Sequence, residues 1–310
     1  MIRANKLREL TLGSPSTPQR ARHVSAASGV VVVGEFLYVV ADDEHHLGVF
    51  RAEGDGEGDL LRIFPGDLPH DRKPRKAGKP DLEALTRLPP FPGYPAGALL
   101  ALASGSRPNR RSGAVCKLDS SGALAGAPRL IDLSDVYLPL ERHFPALNIE
   151  GAVIVDDALV LLQRGSKHHP ANALIRLPLA GVLDAIAHQD SLGTVDSPRV
   201  HIVDLGTADG VPLCFTDGTA LADGRIVFTA VAENAEDTYN DGPCSAAAVG
   251  ILDAEGRVLV LEPLEPAYKV EGVHARIDGG VIKLLLATDA DDPDIAGILL
   301  AAELPSCFVS

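Results

Sequence analysis

The chain has 310 residues, 46% of them hydrophobic, with 28 basic and 42 acidic side chains and a formal net charge of −14 at pH 7. This length is enough to bury a large core, and the negative charge argues against nucleic acid or an anionic membrane as a partner held by bulk attraction. Aromatic residues make up only 4% and tryptophan is absent, which excludes a site that stacks sugars or bases on indole rings.

The sequence predicts neither a membrane span nor an export signal. Its longest uncharged apolar runs are well short of the ~20 residues that cross a bilayer. The first residues, MIRANKLRELTL, carry charges and lack the apolar stretch of a signal peptide. Four cysteines are scattered without a C-x-x-C pair, as is typical of reduced thiols. We therefore expect a cytoplasmic protein without a membrane partner.

Five stretches of the chain share one pattern: a small or acidic residue, then Gly or Ala, an apolar strand, a turn and a second apolar strand. In chain order they begin at Ser28, Glu83, Glu150, Asp217 and Glu271. Further short runs, rich in leucine or β-branched residues and bounded by Gly, Pro, Asp or Asn, follow each pair of strands and are typical of strands themselves. Four short antiparallel strands per repeat are typical of the blade of a β-propeller.

The predicted fold is therefore all-β, a five-bladed β-propeller of four-stranded antiparallel blades formed by a single domain over 1–310. The blades are expected at about 24–66, 80–135, 147–206, 214–264 and 268–305. The fifth repeat supplies only three strands. We expect the N-terminal strand, 6–12, to complete this last blade and close the ring, because closure removes an open sheet edge.

Two stretches interrupt the repeats. At 179–186, apolar residues at i, i+3, i+4 and i+7 predict a short amphipathic helix attached to blade three. The stretch 65–79 (PGDLPHDRKPRKAGK) is rich in proline and basic residues. It predicts a surface loop, either simply solvated or forming a basic lip over an acidic channel.

The first strand of each blade lines the central channel of a propeller, so the five lead residues are predicted to form one inward-facing ring. Four of the five are carboxylates. At ~5 Å and an effective dielectric constant of ~20, each like-charged pair costs about 3 kcal/mol. Such a ring repels itself unless some carboxyl groups are protonated or a cation lies on the axis.

A ring of carboxylates and one hydroxyl, with no His or Cys in register, suits a hard cation. A wide and flexible channel favours Ca²⁺ over Mg²⁺. We therefore predict a channel Ca²⁺ site. Its predicted ligands are Ser28, Glu83, Glu150, Asp217 and Glu271. The alternative is that these residues only cap strands or bind water in the channel.

Several of these segments resemble the calcium-activated nucleotidases, the apyrases, and the Glu-Gly pattern of the channel strands is also similar to that of uncharacterised bacterial and phytase-like propellers. The segment from Ser28-Gly29 to the acidic pair Asp42-Asp43 looks like their first blade, and Leu82-Glu83-Ala84-Leu85 is similar to their second channel strand. Glu150 with the later Gln163-Arg164, and Lys269-Val270-Glu271-Gly272-Val273, resemble the third and last channel strands. The resemblance implies a five-bladed propeller with one Ca²⁺ in its channel.

The resemblance also implies roles for individual residues. Ser28, Glu83, Glu150 and Glu271 correspond to metal ligands, whereas Asp217 stands where the family tends to have a hydroxyl. Asp42-Asp43 corresponds to an acidic pair used in catalysis, and Arg164 to an arginine that contacts phosphate. Three features depart from the family: Glu44 replaces a basic residue, tryptophan is absent, and three strands follow Glu271.

The loops after the second strands are expected to converge at the channel mouth. Four arginines there would clamp a phosphate bidentately, with the metal as Lewis acid and Asp43 or Glu233 as general base. The predicted catalytic residues are Asp43, Arg164 and Glu233. The predicted substrate-binding residues are Asp42, Arg107, Arg110, Arg111 and Asp289. The leading hypothesis is a calcium-dependent phosphohydrolase that acts on a small phosphorylated substrate.

Two alternatives remain open at this point. The first is a binding or scaffold propeller in which Ca²⁺ is purely structural, since charged loop tips are often only solvated. The second is a glycosidase with three funnel carboxylates. The serine on blade one and the scarcity of aromatic residues disfavour the glycosidase.

Overall fold

Strand pairing confirms the predicted architecture, an all-β propeller whose five blades are antiparallel sheets around a central channel. The structure is a computed structural model that describes residues 1–194, 198–233 and 244–304. The chain starts with two short strands, β1 (Ile2–Arg3) and β2 (Asn5–Glu9), which join blades formed by the far end of the chain.

The first three blades each contain four strands in chain order. Blade one comprises β3 (Ala27–Val33), β4 (Phe36–Ala41), β5 (His46–Arg51) and β6 (Asp59–Arg62). Blade two comprises β7 (Leu82–Leu88), β8 (Ala98–Ala103), β9 (Ser112–Lys117) and β10 (Arg129–Asp132). Blade three comprises β11 (Ile149–Val155), β12 (Ala158–Gln163), β13 (Asn172–Pro178) and β14 (Arg199–Val203).

The last two blades carry the additional strands. Blade four comprises β15 (Thr207–Ala208), β16 (Val211–Ala220), β17 (Ile226–Glu233), β18 (Cys244–Leu252) and β19 (Val258–Glu265), with β1 added at its outer edge. Blade five comprises β20 (Val270–Asp278), β21 (Val281–Thr288), β22 (Ile298–Leu304) and, as its outer strand, β2.

The hairpins form where the sequence places turn residues between two apolar runs. Between β20 and β21 the turn is Gly279-Gly280, and both glycines have positive φ, +59° and +81°. A two-residue turn with positive φ at both positions matches the twist of antiparallel strands and favours glycine. The local sequence therefore sets the register of this hairpin.

The N-terminal strand closes the ring as predicted. β2 pairs antiparallel with β22, with Asn5 opposite Ala301. β1, in contrast, was not predicted: it pairs parallel with β19 and places Ile2 opposite Leu264. Ile2 is 2% exposed and packs in the apolar cluster between blades four and five. Two residues are too few to show a strand pattern, so only packing reveals this second attachment.

The inner strands form a closed ring, because each contacts the inner strands of the two neighbouring blades. In order around the channel they are β3, β7, β11, β16 and β20. The apolar core lies between the blades in five clusters, one for each pair of neighbours. Burial of this apolar area, at roughly 25 cal/mol per Å², is the main force that holds the blades together.

In the part of the chain that the structure describes, three helices lie outside the sheets. α3 (Leu179–Gln189) confirms the predicted helix and extends it by three residues. α2 (Ser134–Glu141) was not predicted, and its buried side chains pack between blades two and three. α1 (Arg72–Gly78) lies within the stretch predicted to be a loop, so that prediction is wrong for these residues. Its proline sits in the first turn, where no intrahelical N–H is needed.

Two structural observations concern membrane spans and cysteines. Within the described ranges, no helix is long and apolar enough to cross a bilayer. Cys116, Cys214 and Cys244 are free thiols. Cys307 lies outside the described residues.

Candidate functional site at the channel mouth

Each inner strand contains a β-bulge, at which one residue is left out of the pairing with the second strand. A bulge re-aims a side chain locally. The bulge residues, which we call the bulge ring, are Ser28, Glu83, Glu150, Thr216 and Glu271. All five are at most 8% exposed. Four of them are predicted ring residues, which the fold places at equivalent positions around the channel.

The fourth member of the ring is Thr216 and not the predicted Asp217, because the pairing of β16 with β17 skips Thr216. Asp217 is 1% exposed, and its Oδ2 accepts a hydrogen bond from the N–H of Val273 at 2.8 Å. Burial raises the pKa of Asp217 well above its usual range. The alignment of Asp217-Gly218 with the Glu-Gly pairs of the other blades is therefore one residue out of register, because the bulge residue of blade four is Thr216.

The glycine or alanine after four of the five bulges reflects the close approach of neighbouring inner strands, whereas Asp217 follows the bulge of blade four. A Cβ on Gly29 would lie 3.1 Å from the backbone nitrogen of Leu85, and one on Gly151 would lie 3.1 Å from that of Gly218. Each contact is with the inner strand of the next blade. The repeated Glu-Gly pattern is therefore a consequence of packing around the channel, because only a very small residue fits there.

A second layer of side chains lies nearer the mouth, two residues before each bulge, because alternate residues of a strand share a face. These residues are Ala26, Asp81, Asn148, Cys214 and Lys269. All but Ala26 line the cavity above the ring. Backbone hydrogen bonds then place the ends of the second strands beside this layer: the N–H of Arg164 donates to Asn148 O at 2.8 Å and that of Asp289 to Lys269 O at 3.1 Å.

The cavity above the bulge ring, which we call the mouth cavity, has a volume of about 60 Å³. Its carboxylates are Asp42, Asp81, Glu83, Glu150, Glu233, Glu271 and Asp289. Its basic side chains are Lys76, Lys79, Arg110, Arg164, Lys167 and Lys269. One water needs roughly 10–15 Å³ of such space, so the cavity has room for an ion with a few waters.

Arg164, which follows β12 of blade three, lies near carboxylates of blades three, four and five. Its Nη2 lies 2.5 Å from Glu233 Oε2, and its Nη1 lies 3.4 Å from Glu150 Oε2 and 3.7 Å from Glu271 Oε1. The Arg164 side chain is 13% exposed. A guanidinium at this position balances much of the carboxylate charge on blades three and five.

Lys269 is the second buried cation beside the ring, with a side chain that is 8% exposed. Its Nζ lies 2.6 Å from Asp291 Oδ1, 3.2 Å from Glu271 Oε1, 3.4 Å from Asp289 Oδ2 and 3.9 Å from Glu233 Oε1. Burial alone would lower the pKa of Lys269, but these carboxylates raise it well above its usual range. The ammonium group therefore stays charged.

The blade-two side of the cavity holds Lys79, whose Nζ contacts Asp42 and lies 2.9 Å from Asp81 Oδ1. Arg110 Nη1 donates to Asp81 Oδ2 at 2.7 Å. Glu83 is different: within the described part of the chain, its carboxylate has neither a hydrogen bond nor an ion pair. It is the bulge-ring carboxylate without a cationic partner among the described residues.

Burial raises the pKa of all three carboxylates of the bulge ring. The pKa of Glu83 lies well above its usual range, with Glu150 as the next cause. That of Glu150 rises to about 8, as Glu271 adds to the effect of burial while Arg164 opposes it. The pKa of Glu271 is also raised, first by burial, although Lys269 and Arg164 oppose this. Further positive charge beside the ring would therefore stabilise the ionised form of these carboxylates.

The oxygen donors of the bulge ring fit a hard cation. Its hydroxyls donate to carbonyl groups, Ser28 Oγ to Ala26 O at 3.3 Å and Thr216 Oγ1 to Val270 O at 2.7 Å. Ser28 Oγ therefore keeps its lone pairs, whereas Thr216 Oγ1 also lies 2.9 Å from Thr229 Oγ1 and keeps one lone pair for a cation. Among the described residues, Glu83 is the carboxylate of this set that makes no hydrogen bond or ion pair.

The predicted four-arginine clamp is not assembled. Arg110 and Arg164 line the mouth cavity, but Arg107 is exposed outside it. Arg111 is turned away, and its Nε donates to Glu141 Oε1 at 3.0 Å. The sequence brings these arginines near one another along the loop after β8, but pairing with carboxylates decides where each one points.

The two predicted acids of blade one are separated. Asp42 lines the mouth cavity, whereas Asp43 lines the neighbouring cavity and lies 2.6 Å from Arg20 Nη2 and 3.5 Å from Arg75 Nε. Glu44 Oε1 also accepts from Arg20, at 3.1 Å. Asp43 is therefore held in an ion-pair network that joins α1 and the N-terminal segment to blade one.

Sequence reasoning missed Lys79, Asp81 and Lys269 as site residues. A signal was present, because Lys79, Asp81 and Glu83 are spaced by two, as are Lys269 and Glu271. Residues with this spacing share one face of a strand. Extending the pattern backwards from each ring residue, by two residues to Asp81 and Lys269 and by four to Lys79, would have placed these side chains above the ring.

The fold and the site together define this protein as a five-bladed β-propeller with a charged mouth cavity above a ring of bulge residues. The chain belongs to DUF6929, a family of unknown function, whose model matches residues 23–304. No curated protein sequence matches the chain.

Among solved structures, the chain is similar to a luciferin-regenerating enzyme, with 10% identity over 91% of this chain and 92% of that one and a TM-score of 0.46. It is also similar to the native arabinanase of Bacillus subtilis, with 13% identity over 91% of this chain and 95% of that one and a TM-score of 0.41. Similarities this distant say nothing about activity.

Proposed function

We propose that this protein is a Ca²⁺-binding propeller that hydrolyses a small phosphorylated molecule at its channel mouth. One observation carries the proposal: a single cavity is lined both by the three carboxylates of the bulge ring, Glu83, Glu150 and Glu271, and by six lysine and arginine side chains. Oxygen ligands suit Ca²⁺, and buried cations suit a phosphate. The resemblance of the channel strands to calcium-activated nucleotidases points in the same direction.

The residues that would hold the metal are the bulge ring, in which Thr216 takes the place predicted for Asp217. A bound Ca²⁺ would supply Lewis-acid polarisation of a phosphoryl oxygen. Because Asp217 lies outside the ring, its proposed role is to accept backbone hydrogen bonds inside the channel.

The cations of the mouth cavity would bind the phosphoryl group. Arg164 is best placed, because its guanidinium lies at the ring and reaches Glu150, Glu233 and Glu271. The cavity is small, so the rest of the substrate would remain in the open mouth. The proposed partner is accordingly a small anionic molecule.

Glu233 is the better of the two predicted general bases, because it lines the mouth cavity and Asp43 does not. In the proposed step, Glu233 takes a proton from a water whose oxygen forms the new bond to phosphorus. The bond between phosphorus and the leaving oxygen breaks, and that oxygen takes a proton from solvent. Arg164 would hold the charge on the phosphoryl oxygens throughout.

The test is phosphate release from nucleotides, phytate and simple phosphate esters, with Ca²⁺ and with EDTA. We expect Ca²⁺-dependent release, and a loss of about 10²–10⁴-fold in kcat for Glu233→Gln. Glu35→Gln, which changes a side chain that is 83% exposed, is the matched control. Absence of phosphate release from every substrate would overturn the proposed activity.

A second function is a binding propeller with a structural Ca²⁺. The observation in its favour is that the proposed catalytic groups are held in buried ion pairs, Glu233 with Arg164 and Asp43 with Arg20. In that case Ca²⁺ would raise the Tm by mass action, EDTA would lower it, and no phosphate would be released. The same assay panel, run beside a thermal unfolding series, separates the two functions.

A further inference from the structure

Lys79 occupies a position that would suit a metal ion. Asp42, Asp81 and Glu83 each offer one carboxylate oxygen, and these oxygens lie within 4.8 Å of one another. Two oxygens bound to the same Ca²⁺ at 2.3–2.6 Å are at most about 5 Å apart. The ammonium group of Lys79 contacts Asp42 and lies 2.9 Å from Asp81 Oδ1.

The charge at this cluster is not balanced by its neighbours. Asp81 is bonded to both Lys79 and Arg110, and Asp42 to Lys79. Glu83 is 8% exposed, reaches the same cluster, and has no hydrogen bond or ion pair with any described residue. A buried carboxylate without a counterion costs several kcal/mol. Two cations, Lys79 and Arg110, therefore lie against three carboxylates, and neither is in direct contact with Glu83.

The other ring carboxylates already have buried cations beside them. Glu150 and Glu271 both lie near Arg164, and Glu271 also lies 3.2 Å from Lys269. A cation entering the cavity would have to displace two buried cations to reach them. On the blade-two side it would have to displace only the flexible side chain of Lys79.

We infer that a divalent cation binds off the channel axis, at Asp42, Asp81 and Glu83, and that it does so in exchange with the ammonium group of Lys79. Lys79 is then an internal competitor that sets the affinity of the site. The inference rests on the proposed function only for the identity of the ion, Ca²⁺. It differs from that proposal in the ligands, because it shares Glu83 with the bulge ring and takes the other two from the mouth.

The first test is calcium binding to the full chain measured by isothermal titration calorimetry. Lys79→Met should tighten binding about tenfold, which corresponds to the loss of one competing ion pair of about 1.4 kcal/mol. Glu83→Gln should abolish binding, and Asp81→Asn should weaken it at least about tenfold. Glu271→Gln should change it by less than about threefold. Lys283→Met, a partly exposed lysine on β21, is the matched control.

A second measurement uses the unaltered protein, so it does not depend on how any variant folds. Lys79 should react slowly with an acetylating reagent in EDTA and faster at saturating Ca²⁺, because the ion releases its ammonium group. Lys269 is equally well buried and should stay protected in both. Mass spectrometry of the labelled peptides reads both lysines in one sample.

The outcomes separate the two proposals. Calcium binding that is unchanged in Lys79→Met but lost in Glu271→Gln would place the ion on the axis, overturn the inference and leave the proposed function standing. Protection of Lys79 at saturating Ca²⁺ would also overturn the inference alone. If neither the unaltered protein nor Lys79→Met binds Ca²⁺, the ion assigned in both proposals is wrong.

Discussion

Two lysines at the channel mouth have similar burial but different partners. The side chain of Lys269 is 8% exposed and that of Lys79 is 10% exposed. Lys269 lies two residues before Glu271 and contacts it at 3.2 Å. Lys79 lies four residues before Glu83 and contacts Asp42 and Asp81 instead. A spacing of two brings a cation beside the bulge carboxylate, whereas a spacing of four leaves that carboxylate without a partner.

The largest expected effect tests whether this difference matters for stability. Lys269→Met leaves three buried carboxylates and the partly exposed Asp291 without their shared cation and should lower the free energy of unfolding by about 3–5 kcal/mol. Lys79→Met should cost about half as much, because Arg110 still pairs with Asp81. The measurement is urea unfolding in EDTA, with Lys283→Met as the surface control. Equal losses for the two mouth variants would show that the lysines are equivalent.

The second prediction contrasts Lys269, which immediately precedes β20, with His274 on that strand. Buried among carboxylates, Lys269 keeps its charge, whereas burial away from carboxylates lowers the pKa of His274 to about 4, with Arg276 adding to the effect. The folded protein then binds fewer protons than the unfolded chain between pH 6.5 and about 4. The contribution of neutral His274 to stability is therefore present above pH 6.5 and is lost as the pH falls through this window.

Unfolding measured at pH 7 and at pH 5 checks this prediction. Between pH 7 and pH 5, the free energy of unfolding of the native protein should fall by about 1–2 kcal/mol more than that of His274→Gln. His188→Gln changes an exposed histidine and should leave the pH profile parallel to that of the native protein. A profile of His274→Gln that runs parallel to the native one would contradict the prediction.

The smallest effect is expected at Arg111, which the sequence places in the phosphate clamp and the fold turns toward Glu141. This partly exposed pair should contribute no more than about 1 kcal/mol to stability. Arg111→Ala should therefore leave both calcium binding and any phosphate release unchanged. A large loss of phosphate release in this variant would restore Arg111 to the site.

Much of the fold could be predicted because its signals are local. Five repeats of paired apolar runs with turn residues between them are enough to count blades, and a three-stranded last repeat calls for a strand from elsewhere. Four of the five bulge residues follow from the same repeats. The helix at 179–186 was predicted from its spacing, while α1 was missed because proline and basic residues also suit a loop.

The sequence predictions were wrong or incomplete where contacts between distant parts of the chain determine the structure. One residue of register in blade four separates Thr216 from Asp217, and no local pattern marks a bulge. The direction of each arginine depends on which carboxylate lies within reach after folding, as with Arg111 and Glu141. The strand formed by Ile2–Arg3 exists only because blade four offers an edge for it.

The sequence by itself determined the blade count, the closing strand and the presence of acidic side chains around the channel, because alternation and turn chemistry act over a few residues. Only the tertiary structure decided how those charges are balanced. Arg164, Lys79 and Lys269 come from three different blades or connections, and their charges meet the carboxylates only when the ring closes. Electrostatic interactions depend on distance in space, and the order of residues along the chain does not record it.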